Sequence, residues 1–198
     1  MSSMSSARRS VALVLGPILA VLLATTVAAG HGARAPRLAH GTFIDATGAE
    51  IGSVRLSEDR HGIVHVHVRV RGLPTGRHGI HIHAVASCTT PTFATAGGHY
   101  NPFVRQHGLQ NPDGPHAGDL PNLVVGSRGH GRLHARTDRV TLRPGLATLL
   151  DGDGSAFIIH ANPDDQVTDV GNGGSGARIA CAVIVGGRWS PSHPEPGG

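Results

Sequence analysis

The sequence predicts an all-β domain, an antiparallel Greek-key sandwich or flattened barrel of about eight strands, immunoglobulin-like, with two long functional loops. Three observations carry that prediction. Glycine is abundant at 29 residues, aromatics make up 3% and charged residues 15%, a composition of short strands and turns rather than helical bundles. Val64, Val66, Val68 and Val70 alternate with His65, His67, Arg69 and Arg71, the period of a strand buried on one face. Neither a convincing helical period nor an internal repeat interrupts the pattern. With 198 residues, the chain is long enough for one domain with a real core plus extensions.

The N-terminus reads as an export signal over residues 1–29. Arg8-Arg9 is a positive leading region, and Val11 to Ala29 is apolar, ending in the small-residue cleavage site Val27-Ala28-Ala29. An uncleaved membrane anchor is the competing reading of the same stretch. Gly16, Pro17, Thr25 and Thr26 weaken it as a spanning helix. A mature protein that is extracellular or held at the cell envelope is therefore expected, touching membrane only if the segment stays on. Residues 30–37 form a Gly/Ala/Arg/Pro linker.

Strand signals begin near Leu38 and run to Gly187, the span of the expected domain. Thr42 to Asp45 leads into a turn at Ala46-Thr47-Gly48-Ala49, then Ile51 to Leu56. After the valine strand, Leu73-Pro74-Thr75-Gly76 turns the chain into a strand bearing His81 and His83. Thr89 to Pro121 has no sustained period and is expected to be one long ordered loop, a kind that usually carries function. Leu123 to Val125, Leu133 to Arg136 and Ala156 to His160 are further strands, with Arg139 to Gly154 a connection between them. Asn162 to Ala177 is the second long loop, and Arg178 to Val185 the last strand. Residues 188–198, proline-rich and ending in Gly-Gly, are expected to be a disordered tail.

Formal net charge is +4, carried by arginine alone, since lysine is absent. It falls further once Arg8 and Arg9 leave. So small an excess, with no arginine cluster and no aromatic ladder in the sequence, argues against a nucleic-acid partner.

Chemistry concentrates between His78 and Asp119. His78, His81, His83, His99, His107, His116 and Asp119 all fall there, together with Cys88. Imidazole with carboxylate suits zinc, and clustered imidazoles without thiolate suit zinc or copper(II). His81 and His83 project to the same side of one strand. Export would permit a disulfide, for which Cys88 and Cys181 are the only candidates. His65-Val66-His67 repeats the spacing, but its rings face away from the valine core, so it reads as solvated surface. His78 reads as a hydrogen-bonded structural residue. His31, His40, His61, His130, His134 and His193 lack partners at ligand spacing and read as surface.

Taken in order, His81-Ile82-His83, Gly97-Gly98-His99-Tyr100-Asn101-Pro102, His107, Gly114 to Leu120, Ile158-Ile159-His160 with Asp164, and Gly176 to Cys181 resemble the secreted bacterial copper/zinc superoxide dismutases. The resemblance covers Leu38 to Gly187. It implies one copper per subunit on His81, His83, His99 and His160. It implies one zinc on His99, His107, His116 and Asp119, with His99 shared as a bridging imidazolate. Asp164 would link a copper histidine to a zinc histidine, and Arg178 would orient the anionic substrate. Cys88 and Cys181 would form the family's disulfide. The implied reaction turns superoxide into dioxygen and hydrogen peroxide by alternate reduction and reoxidation of copper, with His99 carrying a proton, in extracytoplasmic antioxidant defence. A metal store or carrier without dismutase activity is the alternative, and it would predict a missing copper ligand or arginine.

Two departures from the family pattern matter. The second long loop holds Asp164, Asp165 and Asp169 but neither lysine nor glutamate, which weakens the case for steering by remote charges. His83 to Cys88 is short, so the eukaryotic type of dimer contact is not assumed; monomer and homodimer both remain open.

Overall fold

The computed structural model describes residues 37–187. The expected signal or anchor, residues 30–36 of the expected linker and the expected tail lie outside the described residues. Among the described residues ten strands form: β1 (Arg37–Asp45), β2 (Glu50–Glu58), β3 (Val64–Val70), β4 (Gly76–His78), β5 (Ile80–His83), β6 (Leu123–Val125), β7 (Gly131–Thr137), β8 (Ala156–His160), β9 (Arg178–Val183) and β10 (Val185–Gly186). They make one antiparallel sheet in the order β4-β6-β7-β3-β2-β1-β9-β8-β5, with β10 on β1. β4 and β5 are neighbours in sequence yet stand at opposite ends of that order. The sheet therefore curls into a nearly closed barrel. No described helix is long and apolar enough to cross a membrane.

Ten strands stand where about eight were expected, and the difference has a local cause. The segment before His83 divides, β4 pairing with β6 and β5 with β8. Gly79 makes the break: its N–H donates to the Asn162 carbonyl at 2.8 Å, and its own carbonyl accepts from the His160 N–H at 2.8 Å. At the other end, β9 stops at Val183 and β10 returns onto β1. β1 starts at Arg37, opposite Glu58, one residue inside the expected linker.

The alternation in β3 is realised. Val64, Val66 and Val68 are fully buried, while His67 and Arg69 are exposed. β7 alternates in the same way, with Leu133 and Ala135 inward and Arg132, His134 and Arg136 outward. Phe43, Val54, Leu56, Ile80, Ile82, Phe157 and Ile159 fill the interior between the walls, and each such large side chain contributes about 1.5–3 kcal/mol by leaving water. The connection over 139–154 adds Val140, Leu142 and Leu149 to this core. Buried Glu58 clamps it to the end of β2. Its Oε2 accepts from the Leu142 N–H at 2.8 Å, and its Oε1 from Arg143 Nε at 2.9 Å.

The first long loop is ordered without strands, having one 3-10 turn at Ala94–Ala96 between β5 and β6. Backbone hydrogen bonds lay it along β5. Ile82 N–H donates to Gly118 O at 2.9 Å, Tyr100 N–H to Ile82 O at 2.8 Å, and Gly118 N–H to Tyr100 O at 2.8 Å. A Cβ on Gly118 would collide with the Ile82 carbonyl, so only glycine permits this approach. Cys88 and Cys181 are joined as a disulfide across 93 residues, their Cα atoms 5.7 Å apart. It pins the loop to β9, and on a chain-entropy account closing so long a loop contributes up to about 4–5 kcal/mol.

Candidate metal centre

β5 presents two kinds of side chain. Ile80 and Ile82 enter the core, and His81 and His83 point the other way, yet all four are fully buried because the first loop covers them. His81 lies opposite Asp119 and His83 opposite His99 in isolated bridges. His160 ends β8, where the register against β9 shifts between Ile159 and His160. Such an irregularity re-aims a side chain, and here it accompanies His160 into the cluster, opposite Arg178.

His81, His83, His99 and His160 each bring a ring nitrogen into one group whose atoms all lie within 4.8 Å of one another. In each ring one nitrogen is occupied. His83 Nδ1 is 2.9 Å from Gly97 O, His160 Nδ1 3.0 Å from Gly176 O, His81 Nε2 2.7 Å from Asp164 Oδ2, and His99 Nδ1 3.1 Å from Asp119 Oδ1. The other nitrogen of each ring, His81 Nδ1, His83 Nε2, His99 Nε2 and His160 Nε2, is buried without a hydrogen-bond partner. An unsatisfied buried polar atom costs about 1–3 kcal/mol. A cation resolves all four at once, and an all-imidazole set suits copper.

A second group meets on the far side of His99. Asp119 Oδ1 lies 3.1 Å from His99 Nδ1, 2.9 Å from His107 Nδ1 and 3.4 Å from His116 Nδ1. His99 Nδ1 and His116 Nδ1 are 3.2 Å apart. Ligands about 2.0–2.1 Å from a tetrahedral zinc stand about 3.3 Å from one another, so the spacing fits. His81 is also close enough to group with His99, His107 and Asp119, but its Nε2 is engaged by Asp164 and its Nδ1 faces the first group. The other Asp119 oxygen accepts the backbone N–H of Gly108 and of His116, both at 2.9 Å.

Asp164 stands between the two groups. Its Oδ2 is 2.7 Å from His81 Nε2 and 3.0 Å from His107 Nε2. Asn122 locks its backbone, accepting from Asp164 N–H at 2.9 Å and donating to Asp164 O at 2.8 Å. Asp165 is exposed and instead caps the Val167 and Thr168 amides. Arg178 is half-buried, its Nη1 donating to Phe93 O and its Nη2 to Gly97 O, each at 2.7 Å. Gly97 O thus receives both His83 and Arg178.

Burial sets the charge. It drives the His81 pKa down to about 3, His83 to about 2 and His160 to about 4, and lowers His99 as well. These rings are neutral at neutral pH, as metal ligation requires. Burial also opposes charge on His107, but Asp119 and Asp164 beside it override that and raise its pKa to about 9. Asp119 and Asp164 are likewise opposed by burial, yet the histidine hydrogen bonds hold both carboxyls well below their usual range.

Every residue singled out as a ligand, linker or anion-binding group is thus brought to one place. His78 stays outside it, its Nδ1 2.8 Å from His160 O and its Nε2 2.8 Å from Pro74 O. Sequence reasoning missed Asn122, the carbonyls of Gly97 and Gly176, and Asp169, whose Oδ1 accepts the His107 N–H at 2.6 Å. It also missed Arg139, which donates to Asp119 O at 2.7 Å. Only the acidic Asp169 and the cationic Arg139 carried any signal, and neither has ligand spacing.

Comparison with known proteins agrees with this arrangement. The family described as copper/zinc superoxide dismutase (SODC) matches residues 50–184. Superoxide dismutase (Cu-Zn) 2 of Aquifex aeolicus is 40% identical over 148 residues, which is 74% of this chain and 85% of that protein. Superoxide dismutase (Cu-Zn) of Caulobacter vibrioides is 40% identical over 140 residues, 69% of this chain and 79% of that one. Among solved structures, a SOD-like protein from Bacillus subtilis superposes with TM-score 0.70 at 38% identity, covering 74% of this chain and 97% of that chain. The Cu/Zn superoxide dismutase from Brucella abortus superposes with TM-score 0.60 at 28% identity, covering 75% and 99%.

Proposed function

From the premise that the chain belongs to the copper/zinc superoxide dismutase family, whose members are oxidoreductases using copper and zinc, we propose the assignment of its site. His81, His83, His99 and His160 hold copper, and His99, His107, His116 and Asp119 hold zinc. The reaction is dismutation of superoxide to dioxygen and hydrogen peroxide. The observation that carries this reading is the set of four buried, unpartnered imidazole nitrogens sharing His99 with a carboxylate-centred group on its other nitrogen. When bound, copper supplies one-electron redox chemistry and zinc a fixed positive charge beside it.

The chain's own residues do the rest. Arg178 binds the anion, its guanidinium held at two carbonyls in a partly desolvated position where a fixed charge counts for more than in water. His99 holds a proton at Nε2 for the product while Nδ1 stays with the Asp119 group. Asp164 fixes His81 by accepting at its Nε2, leaving Nδ1 as the free lone pair. The disulfide and the extracellular name of one relative, the Onchocerca volvulus enzyme, are consistent with export. We place the mature protein outside the cytoplasm, in antioxidant defence.

Metal analysis with a superoxide-consumption assay on copper- and zinc-loaded protein tests the reading. One copper and one zinc per chain with rapid consumption is the expected result. Full occupancy by both metals with no consumption would overturn it in favour of a metal store or carrier.

A further inference from the structure

The Asp164 carboxylate serves the two ligand groups with one oxygen only. Oδ2 meets His81 and His107. The other oxygen, Oδ1, accepts the Gln166 N–H at 2.6 Å. Asn122 holds the Asp164 main chain, which by itself leaves the carboxylate free to turn about its side-chain bonds. A short, charge-assisted bond from a backbone amide removes that freedom, and Gln166 supplies it.

The contact requires an unusual backbone. Gln166 has a φ of 67°, in the left-handed region that side chains other than asparagine and aspartate rarely enter. Such a conformation persists where its surroundings over-determine it, and two bonds to the first loop do so here. The Gln166 carbonyl accepts the Gln110 N–H at 2.8 Å, and its side-chain Nε2 donates to Leu120 O at 3.2 Å. Leu120 directly follows Asp119, and Gln110 lies a few residues beyond His107. Between them, Gly108 packs so closely on the Gln166 peptide that a Cβ there would stand 2.9 Å from Gln166 O. The Gly108 N–H in turn donates to Asp119 Oδ2 at 2.9 Å. Half-buried Gln166 therefore touches Asp164 on one side and the main chain around His107 and Asp119 on the other.

We infer that Gln166 is a positioning residue of the metal centre, an inference that rests on the ligand assignment proposed for the two groups. Its N–H sets the plane of the Asp164 carboxylate between His81 and His107. Its side-chain amide, bonded to Leu120 O, holds the backbone in the left-handed conformation from which that N–H reaches Oδ1. Without the amide, the backbone relaxes towards negative φ and the N–H leaves Oδ1. Asp164 then turns, and the orientation of His81 and His107 loosens with it. Gln166 supplies no ligand, so its whole effect on the metals runs through Asp164.

The test is titration of cobalt(II) into the zinc position of the copper(I)-loaded full chain, in which copper contributes no d–d absorption. The visible band of four-coordinate cobalt reports geometry, and competition with a chelator reports affinity. Gln166→Met keeps the bulk of the side chain but loses the amide. Its cobalt affinity should fall about 10–100-fold, with a weakened and shifted band. Gln166→Asn cannot reach Leu120 but tolerates the left-handed backbone, and should recover much of the loss. Asp165→Ala loosens the same loop by freeing the Val167 and Thr168 amides, and should stay near the parent. Added to Asp164→Asn, Gln166→Met should cost no more than about a further twofold. Parent-like affinity and band in Gln166→Met, an equal loss in Asp165→Ala, an asparagine variant as weak as the methionine one, or losses that multiply in the double variant would each overturn the inference. A parent chain without the four-coordinate band would instead remove the ligand assignment, and the role of Gln166 with it.

Discussion

At the scale of single residues, the centre depends on what each ring does with its second nitrogen. Asp164→Asn replaces an acceptor between His81 and His107 with a group that cannot accept equally from both. Metal affinity should fall about 10–100-fold, read by competition with a chromogenic chelator; unchanged affinity would remove Asp164 from its linking role. Arg178→Gln keeps length and polarity but loses the charge. Superoxide consumption should drop about tenfold to a hundredfold at unchanged copper and zinc content, and an unaffected rate would refute its part in binding the anion. The histidines between His81 and His116 and Asp119 stood out in the sequence because their side chains suit metal, whereas His160, Asp164 and Arg178 were singled out only through the family resemblance. The acceptors on His83 and His160 are backbone carbonyls of Gly97 and Gly176, which every residue possesses, so no residue type announces them. Asp164 and Asp165 were alike as neighbours in sequence. Burial separates them, 4% exposure for Asp164 against an exposed Asp165.

At the scale of elements, the site is a strand with a loop laid on it. Gly118→Ala drives a Cβ into the Ile82 carbonyl, and neither backbone can retreat without losing the hydrogen bonds between them. A loss of about 1–3 kcal/mol is expected, seen as a lower urea midpoint in the disulfide-intact protein together with weaker zinc retention. A midpoint equal to the parent would show that the loop shifts freely. The β3 strand was legible because one face is solvated and the other buried, so its valines alternate. The β4–β5 division was not, since Ile80, His81, Ile82 and His83 are all buried and the switch of partners at Gly79 depends on strands far away in sequence.

At the scale of the molecule, burial of so many imidazoles couples folding to pH. Unfolded, these rings protonate near pH 6.5. Folded, His81, His83 and His160 resist until about 3, 2 and 4, and His99 is lowered too. Below about 6.5 the unfolded chain therefore binds more protons, and stability falls as pH falls. His107, raised to about 9, acts in the opposite sense, its contribution complete below 6.5 and lost as pH rises through 9. Four depressed groups outweigh one raised group. The thermal midpoint of the metal-free protein should decline between about pH 7 and pH 5, measured by scanning calorimetry; a flat or rising midpoint would show that the rings are not buried as described. One atom binds these scales together. Because the Gly97 oxygen receives both His83 and Arg178, any displacement of that peptide unit shifts the proposed copper ligand and the proposed anion-binding guanidinium in a single stroke.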